Sequence, residues 1–177
     1  MRLTALSFSL FTLALAGCAA VATQADVATI PHARLASSHV DVNIDRTDVL
    51  RVLAIDGRDV IDATDLSIKS VEIDHANLIA AGRNAHVDVD ALAFYNNGAR
   101  RLFWDSMHIK GSIDFTPVAD ATYVVRGTLT PAVSTVWIED SSTHQVVGKK
   151  VSAPGRGASA AEAEAEAASA AKAEEQQ

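Results

Sequence analysis

His86-Val87-Asp88-Val89-Asp90-Ala91 changes polarity at every step. An extended chain puts successive side chains on opposite faces, so His86, Asp88 and Asp90 define a wet face and Val87, Val89 and Ala91 a dry one. The segment runs on to Tyr95 and predicts a half-buried β-strand. The same tetrapeptide, His-Val-Asp-Val, stands at 39–42. There Val40, Val42 and Ile44 share one parity and His39, Asp41, Asn43 and Asp45 the other, which predicts a second strand with its valines inward.

Working outward from these two strands, Val49 to Ile55 is apolar on both parities and reads as a central strand, closed by a turn at Asp56-Gly57. Val60-Ile61 begins the return. Leu66 to Ile73 is a further strand whose parity switches near Lys69-Ser70, as a bulge requires. Gly82-Arg83-Asn84 and Asn96-Asn97-Gly98 are turns, because Gly and Asn tolerate positive φ. Leu102 and Trp104 share a face of the next strand. Met107, Ile109, Ile113 and Phe115 alternate with His108, Lys110, Ser112 and Asp114 until Thr116-Pro117 breaks the run. Tyr123, Val125 and Leu129, then Val133 to Glu139, then Gln145 to Val151 complete the set, with a polar loop at Asp140–His144. Trp104 and Trp137 read as core. About seven or eight short strands with no convincing amphipathic helix predict an all-β fold over residues 37–152, an antiparallel β-sandwich or else a barrel, of which the sandwich is preferred.

The N-terminus has a different character. Arg2 and the amino terminus are followed by an uncharged run, Leu3 to Ala16, too short to span a membrane. It ends in Leu15-Ala16-Gly17-Cys18, which contains the single cysteine of the chain. This tetrapeptide resembles the lipobox of bacterial lipoproteins. The resemblance implies that residues 1–17 are a signal peptide and that Cys18 carries a diacylglyceryl group on sulfur and an acyl group on its new amino terminus. Several chains make such an anchor stable, since one acyl chain binds membranes only marginally. By the same resemblance Ala19 and Ala20, in place of an aspartate, imply the outer membrane, facing the periplasm or, alternatively, the cell surface. The competing reading is a plain signal peptide with an incidental cysteine.

Removing residues 1–17 from the 177 leaves 160, enough for one domain with a core. The net charge of −7 becomes −8 once Arg2 is lost, and without a Lys/Arg cluster it argues against nucleic acid or anionic lipid as partner. Residues 18–36 read as a lipidated tether, with an edge strand in 27–36 as the equal alternative. Pro154-Gly155-Arg156-Gly157 closes the domain, and 153–177 reads as an Ala/Glu-rich tail, solvated or partly helical.

For chemistry, the two His-Val-Asp-Val copies are the best candidates. If their strands were neighbours in matching register, His39, Asp41, His86 and Asp88 would form a divalent-metal site. The bland reading is the solvent face of a sheet. His75, His108 and His144 read as isolated surface residues. There is no Gly-x-Ser-x-Gly, P-loop, His-Glu-x-x-His or paired-cysteine motif, and Cys18 is committed to lipid, so the expectation is a non-enzyme without a cofactor.

A second resemblance covers residues 49–151. Leu53-Ala54-Ile55-Asp56-Gly57, Ala80-Ala81-Gly82, Phe115, Tyr123-Val124-Val125 and Val136-Trp137-Ile138-Glu139-Asp140 are similar, in that order, to small bacterial surface lipoproteins with transthyretin-like or PEGA-like sandwich domains. It departs at Ala81-Gly82, where such domains usually show Pro-Gly. The resemblance implies a binding or envelope-structural module. Its partners are the membrane, through the lipid, and an envelope protein. The alternatives are a metal-dependent protein using the two His/Asp rows, or an accessory subunit of an envelope secretion or transport complex.

Overall fold

Strand β6 (Ala85–Tyr95) keeps the alternation its sequence predicts, burying Ala85, Val87, Val89, Ala91, Ala93 and Tyr95 on one face. In the computed structural model, which describes residues 22–60, 76–95 and 107–154, β6 lies at the centre of a sheet. β3 (Arg46–Ile55) pairs with one side of it and β7 (His108–Phe115) with the other, both antiparallel. The far edge of β3 is shared. β2 (Ser38–Asn43) pairs with its N-terminal half, and β4 (Arg58–Asp59) with its last residues. Asp56 and Gly57 connect β3 to β4 with φ of 51° and 77°, both left-handed as a tight primed turn requires.

The second sheet has the order β10-β9-β8-β1-β5. These strands are β1 (His32–Ala36), β5 (Asn77–Ala80), β8 (Thr122–Leu129), β9 (Val133–Asp140) and β10 (Val146–Pro154). All neighbours are antiparallel except β1 and β8, which run parallel with Leu35 beside Tyr123. The two sheets pack face to face, giving the all-β sandwich. Leu35, Ile79, Val125, Val136 and Ile138 from one sheet and Leu50, Val52, Val87 and Ile113 from the other are essentially inaccessible. Each such aliphatic side chain contributes roughly 1.5–3 kcal/mol by leaving water. Phe115 and Tyr123 meet edge-to-face across the layers, with ring centroids 5.0 Å apart.

Two further contacts tie the layers together. Arg46 donates from Nε and Nη2 to both carboxylate oxygens of Asp48, at 2.7 Å each, and its Nη2 also reaches the Leu129 carbonyl of the other sheet. Burial pushes the Asp48 carboxyl up, and the Arg46 guanidinium pulls against that rise. At the opposite edges β10 lies against β7 at a glycine. A methyl group on Gly111 would lie 2.5 Å from Val151 Cγ1.

Several expectations are corrected. Of the two readings for 27–36 the strand is the one found, though inside a sheet rather than at its edge: β1 (His32–Ala36) sits between β8 and β5, with Ala33 and Leu35 buried and Arg34 exposed. Ten strands, rather than seven or eight, occur among the described residues, and one is paired in parallel. The valines of β2 do not face a core. Val40 and Val42 are 42% and 47% exposed, because the strand overhangs the rim of the sandwich. Trp137 is not core either. Val136 and Ile138 point inward on either side of it, so its ring faces out, under Lys150 at 5.7 Å. The strand expected at Leu66–Ile73, the Asn96–Gly98 turn, Trp104, residues 155–177 and Leu15–Cys18 lie outside the described residues. A single helical turn, α1 (Gln24–Val27), precedes β1, with Thr23 and Asp26 forming a capping box.

Candidate functional site

The outer face of the β2-β3-β6-β7 sheet carries the polar half of the alternation, and register decides which groups meet. His86 on β6 lies directly opposite Asp114 on β7, and Asp88 opposite Ser112. The His86 Nδ1 is 2.9 Å from Asp114 Oδ1, and its Nε2 is 3.5 Å from Asp88 Oδ1. Ser112 donates its hydroxyl to Asp88. The hydrogen bond that the His86 ring donates to Asp114 raises the His86 pKa above the ordinary 6.5, against desolvation, with Asp114, Asp88 and Asp56 adding charge attraction. Asp56 closes the row at the end of the sheet: it accepts the His86 backbone N–H at 2.9 Å and the Arg83 guanidinium at 3.2 Å.

One step along β6, Asp90 is almost wholly buried although it points to the outer face. Arg51, its cross-strand partner on β3, donates to one carboxylate oxygen, and the ring of His108 meets the other. His108 does project outward with Lys110, as its parity predicts, yet it holds a buried carboxylate. Only the strand register, which brings β7 beside β6, reveals that role. Further toward β2 the hydroxyl of Thr47 donates to Asp41 at 2.7 Å.

The four predicted metal-site residues therefore separate into two groups. β3 stands between β2 and β6, so the two copies of His-Val-Asp-Val are not neighbours. Their register is also offset. His39 aligns through Val49 with Leu92, placing His86 six residues farther along β6, roughly 20 Å away along the strands and about 10 Å across them. His86 and Asp88 are together; His39 and Asp41 are not with them. Among the described residues no three His, Cys, Asp or Glu side chains gather to hold a metal ion.

The chain matches no family model, no curated protein and no solved structure. Its chemistry is thus read from its own residues.

The outer face of the other sheet offers a second polar strip. Arg126 donates to Glu139 Oε1 at 3.0 Å, Trp137 Nε1 to Glu139 Oε2 at 3.3 Å, and His144 lies 3.6 Å from the same carboxylate. Burial pushes Glu139 up, but the bonds from Arg126, Trp137 and His144 outweigh it and hold the carboxyl below its usual range. Beside it, Asp140 caps the β9–β10 loop. Its Oδ1 accepts the Ser142 hydroxyl and the backbone N–H groups of Ser142 and Thr143, which lowers its pKa to about 2. In both strips the carboxylates are engaged by neighbouring groups of the chain itself. Among the described residues, the large apolar side chains that are exposed include Val118 and, along and just after β2, Val40, Val42 and Ile44.

Proposed function

We propose that this chain is an outer-membrane lipoprotein whose β-sandwich is a non-enzymatic binding or structural module of the bacterial envelope. The observation that carries the reading is Leu15-Ala16-Gly17-Cys18 at the end of a short uncharged run. Residues 19–22 separate Cys18 from the capping residue Thr23, a reach of at most about 18 Å when extended. A lipid on Cys18 therefore holds the sandwich close to the bilayer. The polar strips support a structural rather than a reactive role, since their carboxylates are engaged by Arg51, His108, Arg126 and Ser112.

The test is mass spectrometry of the mature protein with and without globomycin, which blocks lipoprotein signal cleavage. The expected N-terminal peptide begins at Cys18 and carries the mass of three acyl chains, and globomycin leaves residues 1–17 attached. A mature chain without acyl mass, or one cut elsewhere than before Cys18, overturns the reading.

A further inference from the structure

We propose that the end of the sandwich nearest the N-terminus is a lipid-facing seat, at which Ile30, Pro31 and Val118 enter the headgroup–acyl boundary of the bilayer. The inference rests on the lipid at Cys18 and adds which surface of the domain meets the membrane.

The first ground is that apolar side chains from separate segments converge there. Ala81 and Gly82, between β5 and β6, donate to the carbonyls of Pro31 and Pro117 at 2.9 Å each, and Asp120 donates to the His32 carbonyl at 2.9 Å. The segment before β1 and the loop from β7 to β8 therefore lie side by side. The Asp56-Gly57 turn shares this end, since Asp56 accepts the His86 N–H at the start of β6. Ile30 is 45% and Val118 66% exposed, and Pro31 is exposed beside them. The loop holds Val118 in place: Pro117 is fully buried, and the Tyr123 hydroxyl accepts the Val118 N–H at 3.0 Å. Apolar groups fixed in this way lose little freedom when a partner covers them.

The second ground is where the chain from the anchor arrives. Arg58, the residue after the Asp56-Gly57 turn, donates to the Gln24 side chain and so holds the start of α1 at this same end. From there the chain reaches back to Cys18 over at most about 18 Å. The exposed valines of β2 are out of that range. Val40 lies opposite Asp48, seven residues back along β3 from Ile55, which is roughly 23 Å from this end. The described chain also breaks off on the side away from it. β4 leads to Val60 in the outgoing direction, β5 runs inward from Asn77, and β6 and β10 finish at the opposite end.

The third ground is charge. Arg83 pairs with Asp56 at 3.2 Å, Asp26 is held by Thr23 in the capping box, and Arg58 also donates to the Leu78 carbonyl. With these cations engaged and Asp120 exposed near Val118, the end suits a neutral headgroup layer rather than an anionic one. So few apolar side chains do not hold a protein on a bilayer by themselves. A short tether keeps them at high effective concentration, so the seat forms behind the anchor.

The test is fluorescence of the full lipoprotein in phosphatidylcholine vesicles, with a nitrobenzoxadiazole label on one introduced cysteine. Mass spectrometry of the same sample reports the acyl chains, and the wild type reports any thiol left at Cys18. The label on Val118→Cys is expected to shift to the blue and to lose emission to lipids spin-labelled near the headgroup. The label on Pro131→Cys, in the turn beyond the eight residues of β8 and so about 26 Å farther away, is expected to do neither. Ile30→Asp, made with Val118→Cys, should restore the emission. Acyl mass without quenching at Val118→Cys, equal quenching at Pro131→Cys, or quenching that Ile30→Asp leaves unchanged overturns the seat and leaves the anchor standing. A blue-shifted label that lipid does not quench means that protein covers this end, another chain or this one, and also overturns the seat. Absence of acyl mass overturns the anchor and the seat with it.

Discussion

His86 sits beside Asp114, with Asp88 and Asp56 near, and these carboxylates stabilise its imidazolium form. Its folded pKa lies above the unfolded value. The stabilisation it gives is therefore fully present below the unfolded pKa near 6.5 and is lost as pH rises through the higher folded value. Asp114→Asn removes the largest cause of the shift. The His86 ring should then titrate nearer 6.5 by NMR, and the stability gap between variant and wild type should be open at pH 5 and closed by pH 9. Because the ring is half exposed, the gap is small. An unchanged His86 titration would show that Asp88 and Asp56 alone set the shift. The sequence made the row of His86 and Asp88 legible, since residues two apart on a strand share a face. It did not reveal Asp114 or His108, because the partner across a ladder depends on register rather than on local pattern.

Elements show the same limit more sharply. Both His-Val-Asp-Val copies predict half-buried strands, and periodicity is equally clear in each. In β6 the dry face meets the other sheet; in β2 the same valines overhang a rim. Alternation reports which side chains share a face, not whether anything lies beyond that face. β1 is legible only as one of two readings of 27–36, with Ala33 and Leu35 inward and Arg34 outward, because it is short and follows Pro31. Trp137 was misplaced because its bulk suggested burial while its parity, between Val136 and Ile138, required exposure. The bulge of β10 was not legible, and its reason is steric. Gly148 has φ of +70°, and a methyl there would lie 2.7 Å from the Asp114 carbonyl and 2.8 Å from Ile113 Cγ2. Gly57 has a similar φ of +77° with nothing within 4 Å. Alanine at Gly57 should thus cost only the backbone term, about 1–2 kcal/mol. Gly148→Ala should add an overpacking cost and exceed it by about 1–3 kcal/mol. Urea midpoints of the two variants measure the difference. Equal midpoints would mean that β10 shifts away from β7 without penalty.

For the whole molecule, the proposed anchor sets where the sandwich works. Cys18 lies five residues before the capping residue Thr23, a reach of at most about 18 Å when extended, so a lipid there would hold the sandwich close to a bilayer. Cys18→Ser removes the acyl acceptor and changes no residue of the sandwich. The variant should therefore move from the membrane pellet to the soluble fraction while its urea midpoint stays that of the wild type. Retention in the pellet would mean that something other than Cys18 holds the chain at the membrane.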